Sequence, residues 1–167
     1  MLEAQIFTLP ALGSLQLVDT NIISIAAYDG QVAALQAALG VTLPLTPRRV
    51  AVAGAEYIWS GPDSWLVLAQ DTAAIAAQAA PFAAVTEQSD GRAVFRLAGP
   101  HARETLQKLL PIDLHESTFP PDATALTIAA HIGVQLWRDE TGGWYVACFR
   151  SYAKALHHAL TEGNPIG

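Results

Sequence analysis

The chain reads as an α+β protein made of two successive β-α-β-β-α-β-like halves. Three observations predict this. Branched and aromatic residues recur with a period of two, as where Ala93, Phe95 and Leu97 alternate with Arg92, Val94 and Arg96. Between such runs lie segments whose apolar residues share one helical face, such as Ala102, Leu106, Leu109 and Leu110. Turn-forming pairs, Asp90-Gly91, Gly99-Pro100 and Gly142-Gly143, mark the joints. The organisation expected is an N-terminal arm over 1–14, a first half over 15–88, a second over 89–162 and a tail over 163–167.

The elements follow in order. Leu15–Ala27 is rich in Leu, Val and Ile and reads as strand, interrupted near Asp19-Thr20-Asn21. Asp29 is placed to cap a helix over Gly30–Leu39, with Val32, Leu35 and Leu39 as its apolar stripe and Gly40 as its stop. Val41–Ala55, with Pro44 and Pro47, reads as a loop or extended excursion carrying Arg48-Arg49. Glu56–Trp59 and Trp65–Ala69 flank Ser60-Gly61-Pro62-Asp63 as a hairpin, with the tryptophans as core. Asp71 opens a helix over Thr72–Ala80 that Pro81 closes, and Phe82–Glu87 is a further strand.

The second half starts with strand Arg92–Ala98 and helix His101–Leu110, opened by Pro100 and ended by Pro111. After a loop over Pro111–Asp122 come strands Thr124–His131 and Val134–Arg138. Gly142-Gly143 then turns the chain into Trp144–Phe149. Ser151 is expected to cap a last helix, Ser151–Leu160, with Ala155, Leu156 and Ala159 inward. The two halves are parallel in pattern, without an obvious residue-by-residue repeat.

Composition narrows the partners. Over 167 residues only 14% are charged, against about a quarter in an ordinary soluble domain. Simple alanine richness is one explanation of this. A surface covered by a partner is the competing explanation. The net charge of −6, with no long basic run, argues against nucleic acid. No apolar run is long enough to span a bilayer, and no secretory leader is visible at the N-terminus. The lone Cys148 excludes an internal disulfide and fits a reducing cytoplasm.

No dinucleotide glycine fingerprint, phosphate-binding loop or H-E-x-x-H motif is present. The five histidines, at 101, 115, 131, 157 and 158, contain no pair at the helical spacing that suits a metal. Cys148 and Ser151 are the conceivable nucleophiles, but one sits in an apolar strand and the other in a capping position. Asp113 and His115 fit a loop turn better than an acid–base pair. The arginines remain. Arg48 and Arg49 in their loop, Arg92 and Arg96 on one strand face, and Arg103 can each clamp a carboxylate, in this chain or in a partner. Asp90 and Asp113 are the internal acceptors expected.

Read together, Ser89-Asp90-Gly91-Arg92 and Arg96-Leu97-Ala98-Gly99-Pro100-His101-Ala102-Arg103 resemble the central signature of the gamma subunit family of heterotetrameric sarcosine oxidase. Pro47-Arg48-Arg49-Val50, Trp59-Ser60-Gly61-Pro62-Asp63-Ser64-Trp65-Leu66, Asp113-Leu114-His115, Phe119-Pro120-Pro121, Leu136-Trp137-Arg138 and Phe149-Arg150-Ser151-Tyr152-Ala153 are similar to further family segments, in the same order. The resemblance spans nearly everything beyond the first dozen residues. The departures are alanine richness and Ala98 where the family pattern has serine.

The resemblance implies a fold related to the folate-binding domain of the glycine-cleavage aminomethyltransferase. It implies a non-catalytic subunit that packs on a large alpha subunit, with beta and delta subunits, in an enzyme that oxidatively demethylates sarcosine. It also implies that FAD, FMN, NAD, zinc and the folate site are housed in those partners, and that this chain holds no cofactor or metal. Two alternatives stand beside it. One is a free-standing folate-binding or aminomethyltransferase-like protein, with Asp90 or Asp113 holding the pterin. The other is a homo-oligomeric scaffold.

Overall fold

The computed structural model describes residues 6–9 and 13–162. The tail expected at 163–167, and residues 1–5 and 10–12 of the expected arm, lie outside the described residues. The chain opens with strands β1 (Ile6–Leu9) and β2 (Gly13–Leu17), an antiparallel pair. From there it forms two compact units, Thr20–Asp90 on one hand and Met1–Asp19 with Gly91–Gly167 on the other.

The Thr20–Asp90 unit runs β3 (Asn21–Ala27), α1 (Val32–Leu39), β4 (Arg49–Val52), β5 (Ala55–Gly61), β6 (Ser64–Ala69), α2 (Ala73–Ala79) and β7 (Ala83–Glu87). Its five-stranded sheet has the order β4-β5-β6-β3-β7, antiparallel throughout. Ile23, Ile25, Tyr57, Trp65 and Val67 alternate onto one sheet face and pack with Leu35 of α1 and Ala79 of α2. The expected hairpin at Ser60–Asp63 forms, with Trp59 opposite Trp65.

The other unit continues with β8 (Arg92–Ala98), α3 (Ala102–Leu109), β9 (Thr124–Ala129), β10 (Ile132–Arg138), β11 (Trp144–Phe149), a single 3₁₀ turn at Arg150–Tyr152, and α4 (Ala153–Glu162). Its six strands lie in the order β1-β2-β8-β11-β10-β9. Phe95, Leu97, Leu136, Trp144 and Val146 form its core with Leu106 of α3 and with Leu156 and Leu160 of α4.

Two α+β halves therefore hold, with three corrections to their makeup. The segment read as a loop or extended excursion, Val41–Ala55, contains strand β4, so the first unit is β-α-β-β-β-α-β. Its four residues are too few to show a period beside two prolines. The interruption near Asp19 is a change of sheet: β3 pairs with β6 and β7, whereas β2 pairs with β8. The last strand of the second pattern is thus supplied from the N-terminal side, and residues 15–19, read with the first half, count with the second unit. Three capping assignments also change. Gln31 and Thr72 occupy the N-cap positions of α1 and α2, while Asp71 Oδ1 accepts from the Ala73 amide at 2.9 Å, one residue earlier than a cap. Ser151 lies inside the 3₁₀ turn, and α4 turns Leu156 and Leu160 inward while Ala155 is exposed.

The structure also exposes a repeat that composition hides. Leu35-Gln36 and Leu106-Gln107 sit at matching places on α1 and α3. Gln36 Oε1 accepts from the Leu43 amide at 2.7 Å, and Gln107 Oε1 accepts from the Leu114 amide at 3.1 Å, seven residues on in each case. Leu43 and Leu114 are both buried, so each glutamine satisfies a donor that would otherwise be lost from water. The shared pattern is Leu-Gln-x-x-Leu-x-(Val/Ile)-x-Leu, over Leu35–Leu43 and Leu106–Leu114.

Candidate interaction site

The arginines singled out from the sequence do not converge on one place. On β8, Arg96 lies opposite Tyr145 of β11, which lies opposite Trp137 of β10. Trp137 and Tyr145 stack with centroids 5.3 Å apart and planes 10° from parallel. The Arg96 guanidinium donates to Asp139 Oδ2 through Nε at 3.1 Å and Nη2 at 3.0 Å, and also to the Tyr145 hydroxyl at 3.1 Å and Thr141 Oγ1 at 3.2 Å. Its acceptor is therefore Asp139, not Asp90 or Asp113. That partner comes from the β10–β11 turn, which the linear sequence does not place beside β8.

Gly143 explains why the turn carries two glycines. A Cβ there would lie 2.5 Å from Arg96 Nη2 and 2.7 Å from Asp139 Oδ2. Asp139 also accepts from the Gly143 amide at 2.8 Å and the Thr141 amide at 2.9 Å. Burial pushes the Asp139 carboxyl upward. The bonds from Thr141, Gly143 and Arg96 outweigh burial and hold it below the ordinary carboxylate range.

Arg92 lies at the start of the same strand with its guanidinium carbon 4.7 Å from the centre of the Phe149 ring, and burial draws it below the usual arginine value. Its face-mate Arg96 is raised above that value: burial opposes the charge, but Asp139 and Tyr145 more than offset it. Arg49 reaches Glu56 at 3.8 Å on the neighbouring strand. Arg48 Nη1 donates to the Pro47 carbonyl at 3.4 Å, in the exposed loop before β4. Arg103 is exposed on α3, close enough to Asp113 to help lower that carboxyl behind the bonds from the His115 amide and Thr118.

Sequence reasoning did not single out Arg138. It is buried and lies 4.7 Å from the centre of the Trp144 ring, donates to the Phe119 carbonyl at 3.3 Å and approaches Glu116 at 3.7 Å. The Leu136-Trp137-Arg138 segment contained the signal, because its last residue falls on the core face opposite a tryptophan.

The residues weighed for reaction chemistry are separated. Asp113 Oδ1 accepts from the His115 amide at 2.9 Å, the turn expected of that pair. His101 is bonded to Glu104 at 2.9 Å, and His158 approaches Glu162 at 3.2 Å. His157 lies beside Phe95, and His131 occupies the β9–β10 turn. Cys148 is buried in the core, and burial pushes its thiol up to about 11 despite the nearby Arg150 and Arg92, so it is a poor thiolate. Among the described residues no three His, Cys, Asp or Glu side chains gather as a metal site, and no helix is long and apolar enough to cross a membrane.

What remains prominent is exposed apolar surface. Leu126 is 54% exposed, Ile128 48%, Phe149 55% and Tyr152 50%. Their unit also carries an open cavity of about 350 Å³, lined by Leu109, Leu110, Pro111, Ile128 and Ala130 with Lys108 and His131. In the Thr20–Asp90 unit, Tyr28 and Leu45 are likewise exposed. These surfaces suit protein contact better than chemistry.

Comparisons with known proteins agree with this character. Residues 24–164 match the model of the sarcosine oxidase, gamma subunit family. The chain is 34% identical over 141 residues to the sarcosine oxidase subunit gamma of Corynebacterium sp. (strain P-1), covering 80% of this chain and 70% of that one. It is 37% identical over 121 residues to the Arthrobacter sp. subunit gamma, covering 68% and 60%. Among solved structures, the heterotetrameric sarcosine oxidase from Corynebacterium sp. U-96, in complex with pyrrole 2-carboxylate, contains a chain that superimposes with a TM-score of 0.83 at 29% identity, over 93% of this chain and 86% of that one. Aminomethyltransferase T of the glycine cleavage system from Bartonella henselae superimposes with a TM-score of 0.62 at 18% identity, over 84% of this chain and 43% of that one, which relates the folds alone. With a family model matched across most of its length and its fold reproduced in that heterotetramer, the chain belongs to the sarcosine oxidase gamma subunit family.

Proposed function

We propose that this chain is the gamma subunit of a heterotetrameric sarcosine oxidase. In that role it contributes a folded surface to an enzyme that oxidatively demethylates sarcosine. The observation that carries the reading is the TM-score of 0.83 over 93% of the chain with a chain of such an assembly. The site geometry supports it. Arg96 and Arg138 are spent on internal locks, Cys148 is held as a thiol, and the side chains left prominent are apolar and exposed.

In this reading the chain packs on the large alpha subunit, and beta and delta subunits complete the tetramer. FAD, FMN, NAD and zinc belong to those partners. Arg103, exposed on α3, is the one available to meet a partner carboxylate, while Arg49, Arg92 and Arg96 are structural.

Co-expression with alpha-, beta- and delta-type subunits, followed by size-exclusion chromatography, tests the reading. One co-eluting peak with sarcosine-dependent oxidase activity is expected. Elution of this chain apart from the others at micromolar concentration sinks it. Saturable heat on titration of the lone chain with tetrahydrofolate points instead to a folate-binding protein.

A further inference from the structure

The β9 edge of the six-stranded sheet is unpaired among the described residues. β9 pairs with β10 on one side, and among the described residues no strand pairs on its other side. A row of backbone donors and acceptors facing outward is a template for another strand, and proteins blunt such edges with charge, proline, bulges or brevity. β9 uses none of these. Its six residues, Thr-Ala-Leu-Thr-Ile-Ala, carry no charge and no proline, and its register with β10 runs unbroken from Thr124 to Ala129. Leu126 and Ile128, on one face of it, are about half exposed. Uncharged segments of this length and β-propensity are an aggregation hazard when left bare.

The end of the strand adds chemistry. The open cavity of about 350 Å³ begins at Ile128 and runs past the Ala130-His131 turn to Leu109, Leu110 and Pro111. Lys108 and His131 stand at this cavity, and neither side chain has a hydrogen-bond or ion-pair partner among the described residues. The nearby carboxylates are taken: Glu104 by His101, and Asp113 by the His115 amide and Thr118. A second copy paired antiparallel would bring Asp122 to this end, but Asp122 is already engaged within its own chain.

We propose that β9 is completed by an extended segment of a partner subunit that pairs with it as a seventh strand. That segment is apolar at alternate positions, so as to cover Leu126 and Ile128. It sets one apolar side chain in the cavity and a carboxylate beside Lys108 and His131. Main-chain bonds would supply affinity, and the cavity and cationic rim register. The proposal rests on the subunit reading above and assigns the surface that serves it.

The test uses the full chain co-expressed with its partner subunits. Backbone amide exchange over residues 124–129 is expected to slow by about tenfold or more in the complex relative to the free chain. The double variant L126K/I128K is expected to elute apart from the partners while its thermal midpoint as a free chain stays that of wild type, because both positions are exposed. Val52→Lys, on the edge strand of the other unit, is expected to leave co-elution unchanged. Co-elution with unaltered exchange at 124–129 overturns the proposal and leaves the subunit reading standing, as does a double variant that co-elutes like wild type. A free-chain dimer protected at 124–129 overturns the choice of occupant in favour of a second copy. Wild-type chain that elutes apart removes the subunit reading and this inference with it.

Discussion

Trp65 and Trp144 hold the same place in the two units, and their neighbours show how the units diverged. Each starts the second strand of the central hairpin, faces the helices and fixes the loop that joins a helix to an edge strand. Trp65 does so with a hydrogen bond, Nε1 to the Pro44 carbonyl at 2.7 Å. Trp144 does so by a tilted ring contact, with the Phe119 centroid 5.6 Å away and the planes 33° apart. Opposite Trp65 is Trp59; opposite Trp144 is Arg138, which donates to the carbonyl of that same Phe119. One frame thus admits an apolar pair in one unit and a cation over an aromatic ring in the other. The same contrast holds at the edges. β4 is four residues long and opens with Arg49, paired to Glu56, whereas β9 is six residues long and bare of charge. The sheet matched by β7 in one unit is matched in the other by β2, drawn from the N-terminal side.

The comparison is broken most forcefully at the tryptophans. Trp65→Ala and Trp144→Ala are each expected to cost about 3–5 kcal/mol in urea unfolding, the range for emptying an aromatic core site. Phenylalanine separates them. Trp65→Phe keeps the ring but orphans the Pro44 carbonyl, for a further loss of about 1–3 kcal/mol. Trp144→Phe keeps the contacts with Phe119 and Arg138 and is expected to cost less. Equal losses for the two phenylalanine variants would mean that the indole bond to Pro44 is not what distinguishes the units.

A smaller effect is expected at the lock that one unit has and the other lacks. Ser24, opposite Leu66, stands on β3 where Arg96, opposite Tyr145, stands on β8, so the Arg96–Asp139 bond has no counterpart. Because Asp139 titrates below the unfolded carboxylate value near 3.9, its bonds stabilise the fold fully above that pH, and the contribution disappears as pH falls through the lower folded value. Asp139→Asn should therefore flatten the acid limb of the stability curve below about pH 4. Gly143→Ala forces a Cβ into the guanidinium and is expected to cost about 1–2 kcal/mol at neutral pH, the worth of a charge-assisted bond. In an Arg96→Ala background it should cost less, since the clash with the guanidinium and the bond vanish together and only the close approach to Asp139 Oδ2 is left. Additive losses would show that Gly143 does not act through Arg96.

These pairs also show what a linear reading can and cannot reach. The strand Arg92–Ala98, the hairpin around Ser60–Asp63 and the Gly40 stop were legible because each is written in adjacent residues. β4 was hidden because two prolines dominate its neighbourhood and four residues show no period. The Leu-Gln repeat was present in the letters, but its meaning lies in a side chain reaching an amide seven residues away. The acceptor of Arg96 was out of reach, because only the pairing of β8 with β11 carries Asp139 to it. Likewise, the sequence marked Thr124–His131 as strand but could not mark it as an edge, since strand order is set by pairings far apart in the chain.

The mildest contrast lies in two turns. Ala53-Gly54 joins β4 to β5 with φ values of 51° and 79°, and Ala130-His131 joins β9 to β10 with 47° and 70°. Two-residue hairpin turns with both central residues in the left-handed region twist to match the strands they join, and favour glycine there. One turn has that glycine; the other holds a histidine in a conformation that costs an L-residue about 1–2 kcal/mol. Part of this is returned by the freedom glycine adds to the unfolded chain, about 0.5–1 kcal/mol. His131→Gly is therefore expected to raise stability by roughly 0.5 kcal/mol, and Gly54→His to lower it by a little more. Both are read as shifts in the denaturation midpoint. A loss on His131→Gly would mean that the imidazole makes contacts worth more than the strain it endures, and that this turn kept its histidine for the cavity it borders.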